Sequence, residues 1–149
     1  MEIHNLKLVA ALFYVQGEKD DPFAYREGSG EKLYCFSLDE KEAMDFEPDR
    51  DRLIGPLIFC GVAAGDAAIK PSEEKERESM LSLPAGEYIF AQEREVLSGE
   101  DIVNMAVEIQ MEALWQRLVP GKTLYLRYLF EDGRSVTQLF RPIDAGRAR

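Results

Sequence analysis

Apolar and polar positions alternate along the chain with two different periods. Residues 6–16 (LKLVAALFYVQ) are rich in Leu, Val, Phe and Tyr and close on Gly17, the composition of a mostly buried strand. The stretch GEKDDPFAYREGSGEK that follows carries Asp-Pro and Gly-Ser-Gly and reads as a loop. Residues 32–38 (KLYCFSL) predict a short aromatic strand. In residues 39–52, Glu, Lys, Ala and Met predict a short helix that Pro48 stops. Residues 53–63 (LIGPLIFCGVA) return to strand composition, with Pro56 confining the strand to a sheet edge or delaying its start.

The second half is more sharply patterned. Pro84 and Gly86 lead into EYIFAQ, a strand whose Tyr88 and Phe90 point to one side while Glu87 and Ile89 point to the other. Ser98 opens a helix: in SGED its hydroxyl can cap the Asp101 amide, and Glu100 and Asp101 put negative charge at the positive end of the helix dipole. The pattern carries the helix to about Val119, where Pro120-Gly121 ends it. At 100° per residue, Ile102, Met105, Ala106, Ile109 and Ala113 share one side, and Val103, Val107, Leu114 and Leu118 an adjoining one, which predicts a wide buried face. The remaining stripe holds Asn104, Glu108, Glu112 and Trp115.

The rest of the chain predicts a β-hairpin turning at Asp132-Gly133, a pair suited to the positive φ angles of a type I′ turn. That turn sets Glu131 opposite Arg134 and Phe130 opposite Ser135. Leu124, Leu126, Tyr128, Phe130 and Leu139 then share a core face. Tyr125, Arg127, Leu129, Val136, Gln138 and Phe140 share the other, a mixed face that is half buried or lines a cleft. The whole reads as one α+β domain, 1–149, with a first half 1–68, a charged connection 69–79, a second half 80–143 and a flexible tail 144–149.

Charge narrows the partners. Eighteen basic against twenty-eight acidic side chains leave a net charge of -10, which repels phosphate backbones and anionic membrane surfaces. Nucleic acid and membrane are therefore not expected partners, and a neutral or cationic one is. The run LKLVAALFYV resembles the apolar part of a secretory signal, but Glu2 precedes it and EKDD follows it, so a first strand is the better reading. No apolar run reaches the ~18 residues that span a bilayer, and a soluble, cytoplasmic protein is expected. Cys35 and Cys60 lie in apolar runs outside any CxxC spacing and read as small core residues, a disulfide being the alternative.

Recognisable catalytic devices are missing from the sequence. His4 is the only histidine and sits near the start of the chain. No cluster has metal-ligand spacing, no glycine pattern matches a phosphate loop, and DEKEAMDFEPDRD lacks the ligand order of a calcium loop. No cofactor is implied. An aromatic and acidic set remains: Tyr88 and Phe90 on the strand, Glu108, Glu112 and Trp115 on the helix, Tyr125 and Arg127 on the hairpin. Ring faces around a carboxylate suit an amphipathic cation. The plainer alternative makes the aromatics core and the glutamates exposed.

The order strand, helix, strand, strand is that of the SHS2 unit. With PAGEYIF, a helix ending in LWQRLVPG, then YLRYLFE and a closing LFRPI, residues 84–143 resemble the GyrI-like effector-binding family. The resemblance implies two SHS2 units in one curved antiparallel sheet, two helices on one face, and a groove between the halves for small amphipathic, often cationic molecules. It also implies a groove glutamate on the strand after the second helix, whose nearest match is Glu131 at the turn, and it carries over Trp115. The DNA-binding domain attached to many such sensors is not expected here, and the chain reads as a stand-alone ligand-binding module. An acidic domain docking a basic protein, or a hydrolase using a groove glutamate, are the alternatives.

Overall fold

The computed structural model describes residues 2–15, 22–26, 30–37, 53–62 and 80–144. Its strands are β1 (Glu2–Leu8), β2 (Ala11–Val15), β3 (Lys32–Ser37), β4 (Leu53–Val62), β5 (Met80–Leu83), β6 (Gly86–Glu93), β7 (Val119–Pro120), β8 (Thr123–Glu131) and β9 (Arg134–Asp144). One helix, α1 (Gly99–Trp115), and a 3-10 turn (Pro22–Ala24) complete the described elements. The helix expected over 39–52 and the charged connection 69–79 lie outside the described residues.

The predicted first strand is two strands in a row. β1 pairs antiparallel with β6, and β2 pairs with β5. The register does not slip between the two ladders: Leu8 faces Gly86 and Ala11 faces Leu83, three residues on in each chain direction. Together they make one long ribbon, interrupted at residues 9–10 and 84–85.

From this ribbon the sheet leaves in two directions. β6 continues to β9 and β8, β2 continues to β4 and β3, and β3 pairs with β8. The path thus returns on itself, as a strongly twisted sheet does when its far strands find each other. Pairing of β2 with β4 and β4 with β3 in the first half is repeated by β6 with β9 and β9 with β8 in the second. The protein is an α+β fold built on one antiparallel sheet.

The local chemistry explains most element boundaries. Ser98 accepts the Asp101 amide at its hydroxyl, 3.2 Å away, and caps α1. The helix stops at Trp115, earlier than Pro120-Gly121 predicts. Arg117 takes a left-handed φ of 59°, its amide donates to the Leu114 carbonyl, and the Leu118 amide reaches back to the Ala113 carbonyl. That pair of bonds is a Schellman stop. It frees Val119 and Pro120 to pair with β9 as β7.

The hairpin is as its turn residues dictate. Asp132 and Gly133 have φ of 51° and 77°, Glu131 faces Arg134 and Phe130 faces Ser135. Pro56 departs from expectation, because β4 lies between β2 and β3 rather than at an edge. The β3–β4 register slips between Leu33–Leu57 and Cys35–Ile54, so Tyr34 alone stands opposite Gly55 and Pro56. Such a bulge needs no amide there and admits proline to an interior strand.

One face of the sheet meets α1. Ile89, Ala91, Leu124, Leu126 and Leu139 pack on Ile102, Met105, Ala106, Ile109 and Ala113, all buried. Each such leucine or isoleucine contributes about 1.5–3 kcal/mol by leaving water. The helix's buried face is narrower than predicted, since Val107 and Leu114 are exposed. A single sheet below the helix can cover only one stripe of it.

Candidate functional site

Register builds the opposite face. On β9 and β8, Phe140 stands across from Tyr125, and on β6 it stands across from Phe90, which in turn faces His4 on β1. Cys35 on β3 extends the row beyond Tyr125. The rings touch: Tyr125 stacks on Phe140 at 5.1 Å and 14°, and His4 lies 5.1 Å from Phe90. Tyr88 meets Phe140 and Tyr125 edge-on at 6.0 and 6.3 Å. The next row, two residues along, is polar except at its end: Arg127, Gln138 and Gln92 stand side by side, with apolar Leu33 beyond Arg127. Gln138 Nε2 donates to Gln92 Oε1 at 3.2 Å.

A cavity of about 380 Å³ opens where the long ribbon is interrupted. Leu8 and Ala11 flank one link and Leu83 the other; Phe13, Leu33 and Phe140 complete the apolar wall. Gly86, opposite Leu8, has a φ of 146°, which an L side chain rarely adopts, and so lets β6 restart after Pro84-Ala85. Tyr88 ties its hydroxyl to the Pro84 carbonyl at 2.6 Å and holds that link in place. Among the described residues two charged groups line the cavity, Glu31 and Arg127. Arg127 Nε donates to Glu31 Oε1 at 2.6 Å, and its Nη2 meets the same oxygen.

The titratable groups beneath are held neutral. Burial pushes the Cys35 thiol and the Tyr88 phenol each up to about 12. Tyr125 is pushed higher by burial, with repulsion from Cys35 and Tyr88 adding to it. A thiol and phenols in this state are poor nucleophiles and bases at neutral pH. Beside the Glu31–Arg127 pair, the face offers ring surface and neutral dipoles. Cys35 is a free thiol, as expected of a small core residue.

The structure divides the residues that sequence grouped together. Tyr88, Phe90, Tyr125 and Arg127 share this face: Arg127 lines the cavity, and the three rings pack around Phe140 in its wall. Glu108, Glu112 and Trp115 sit on α1, across the sheet. Trp115 is 85% exposed, and Glu112 accepts from Gln116 Nε2 at 3.0 Å. Glu108 borders a separate depression beside Glu93, Glu95 and Asp101. A common groove for all seven is corrected by the sheet that stands between the two sets. Glu131 is exposed at the hairpin end and does not line the cavity.

Sequence reading missed Glu31 and the apolar wall of Leu8, Ala11, Phe13, Leu33 and Leu83. Phe140 and Gln138 were on the predicted mixed face, the only signal available. Among the described residues no group of three His, Cys, Asp or Glu is placed to hold a metal ion, and no helix is long and apolar enough to cross a membrane.

No protein-family model matches the sequence, and no curated protein matches it. Solved structures are similar in fold. The crystal structure of the EcmrR C-terminal domain superposes with a TM-score of 0.54 at 8% identity, covering 96% of this chain and 97% of that one. SAV2435 bound to tetraphenylphosphonium gives a TM-score of 0.48 at 11% identity, covering 97% and 94%. The first likeness shows that this chain has the fold of the EcmrR C-terminal domain.

Proposed function

We propose that the chain is a GyrI-like small-molecule-binding module that takes an amphipathic, cationic molecule in the cavity between the two halves of its sheet. The observation that carries this is the apolar cavity at the ribbon's interruption, backed by the stacked rings of Tyr125 and Phe140. An apolar hollow with few polar groups is the ordinary form of a ligand site. Ring faces attract cations, and a net charge of -10 raises the local concentration of positive ligands.

Thermal unfolding with tetraphenylphosphonium tests this, with tetraphenylborate as the match in shape and opposite in charge. A hundredfold excess over Kd stabilises the folded state by about 2.7 kcal/mol, a rise in Tm on the order of 5–10 °C. Ala11→Phe and Leu8→Trp fill the cavity and abolish the rise, whereas Trp115→Ala leaves it unchanged. No rise with the cation, or equal rises in the filled variants, overturns the proposal.

The docking alternative has its own observation: Val107, Met111, Leu114 and Trp115 are all exposed on α1, with Glu108 and Glu112 beside them. Salt-sensitive retention of a basic protein by the wild type, lost in Met111→Glu, supports it; retention that survives the substitution counts against it.

A further inference from the structure

Among the described residues the cavity lining holds one carboxylate and one cation, and they are already joined. Glu31 lies just before β3, and β3–β8 pairing sets Arg127 opposite Leu33, two residues beyond Glu31. Both Nε and Nη2 of Arg127 converge on Glu31 Oε1. Among the described residues, Glu31 Oε2 and Arg127 Nη1 have no partner. The pair stands at the solvent side of an apolar hollow, with the Arg127 side chain 37% and that of Glu31 58% exposed.

This geometry creates a conflict for any positively charged ligand. Among the described residues, the one carboxylate lining the cavity is spent on Arg127, and the guanidinium adds a like charge where the ligand would sit. We infer that Arg127 is a built-in competitor for Glu31, which a cationic ligand displaces, so that this side chain sets how tightly the cavity takes cations. The inference rests on the binding reading above. Displacement is feasible because a half-exposed ion pair contributes little net stability and the freed guanidinium swings into water.

The charge logic predicts a rank order for tetraphenylphosphonium, read by titration calorimetry at low salt. Arg127→Gln leaves Glu31 unpaired and binds about five- to tenfold tighter than wild type, the size of one charge contact at a partly wet site. Glu31→Gln leaves Arg127 unpaired and binds weaker by a similar factor. The double variant, neutral like the native pair, returns near wild type. Tetraphenylborate follows the reverse order, and 0.5 M salt compresses both series.

Circular dichroism and Tm of the free variants establish that each is folded. Loss of cation affinity in Arg127→Gln, or affinity indifferent to all three substitutions, overturns the competitor while leaving the cavity as the site. Failure of every variant to bind the cation, with Ala11→Phe no different, overturns the binding reading itself. Tighter wild-type binding of the anion than of the cation, abolished by Arg127→Gln, makes Arg127 an anion contact and also overturns the competitor.

Discussion

Arg141 carries a charge into the core, 2% exposed, and meets only neutral acceptors among the described residues. Its Nε and Nη2 donate to the Gly121 carbonyl at 3.1 and 2.6 Å, and Nη1 to Gln110 Oε1 at 2.6 Å. Desolvation lowers its pKa from 12.5 to about 10. Folding therefore bears a cost while the side chain is charged in both states. Above about pH 10 the native form releases its proton first and that cost fades. Cys35 and Tyr88 act in the opposite sense: raised to about 12 from 9.0 and 10.0, they ionise first in the unfolded chain, and their stability is lost as pH rises through that window. The expected outcome is falling stability from about pH 9 to 12, and a steeper fall in Arg141→Met, which lacks the offsetting group. Urea unfolding at stepped pH measures both slopes. Nothing in LFRPID marks this arginine as buried, because its burial comes from helix packing on β9.

At the scale of elements, the ends of α1 show how far short-range chemistry reaches. Ser98 was legible as a cap, since a hydroxyl three residues before an acidic turn acts within one turn of chain. The stop was misplaced because Arg117 adopts a conformation that favours glycine. Arg117→Gly is expected to raise stability by about 0.5–1 kcal/mol, the gain from relieving a left-handed non-glycine residue less the added chain entropy. Chemical denaturation reads the shift in midpoint. No gain would mean that the arginine side chain makes up the strain. The hairpin was legible to single-residue register, since two positive φ angles at Asp132-Gly133 leave the flanking strands one way to pair.

For the whole molecule, protection against hydrogen exchange follows the strand order. β6, β8 and β9 each have a partner on both sides, and β9 also lies under α1. β1 pairs with β6 alone among the described strands, and β5 with β2 alone. Amides of β9 that bond to β6 and β8 are expected to exchange slowest, near the rate set by global unfolding, and the outward amides of β1 and β5 fastest. Slow exchange across β1 would show that its outer edge is covered. Binding of tetraphenylphosphonium should slow exchange around Leu8, Ala11 and Leu83, where the ribbon is interrupted.

By itself the sequence determined what depends on a few neighbouring residues: the strand and helix periods, the Ser98 cap, the hairpin register, and the face that Tyr125 shares with Arg127, Gln138 and Phe140. Only the tertiary structure decided which distant strands pair. It joined the two halves through β3 and β8, split one predicted strand into a ribbon that opens a cavity, and brought Glu31 to Arg127 across 96 positions of chain. It also put the sheet between that cavity and Trp115. Local preferences act over a turn or two of backbone, whereas strand partners are chosen by the shape of the closed sheet, which no short window of sequence contains.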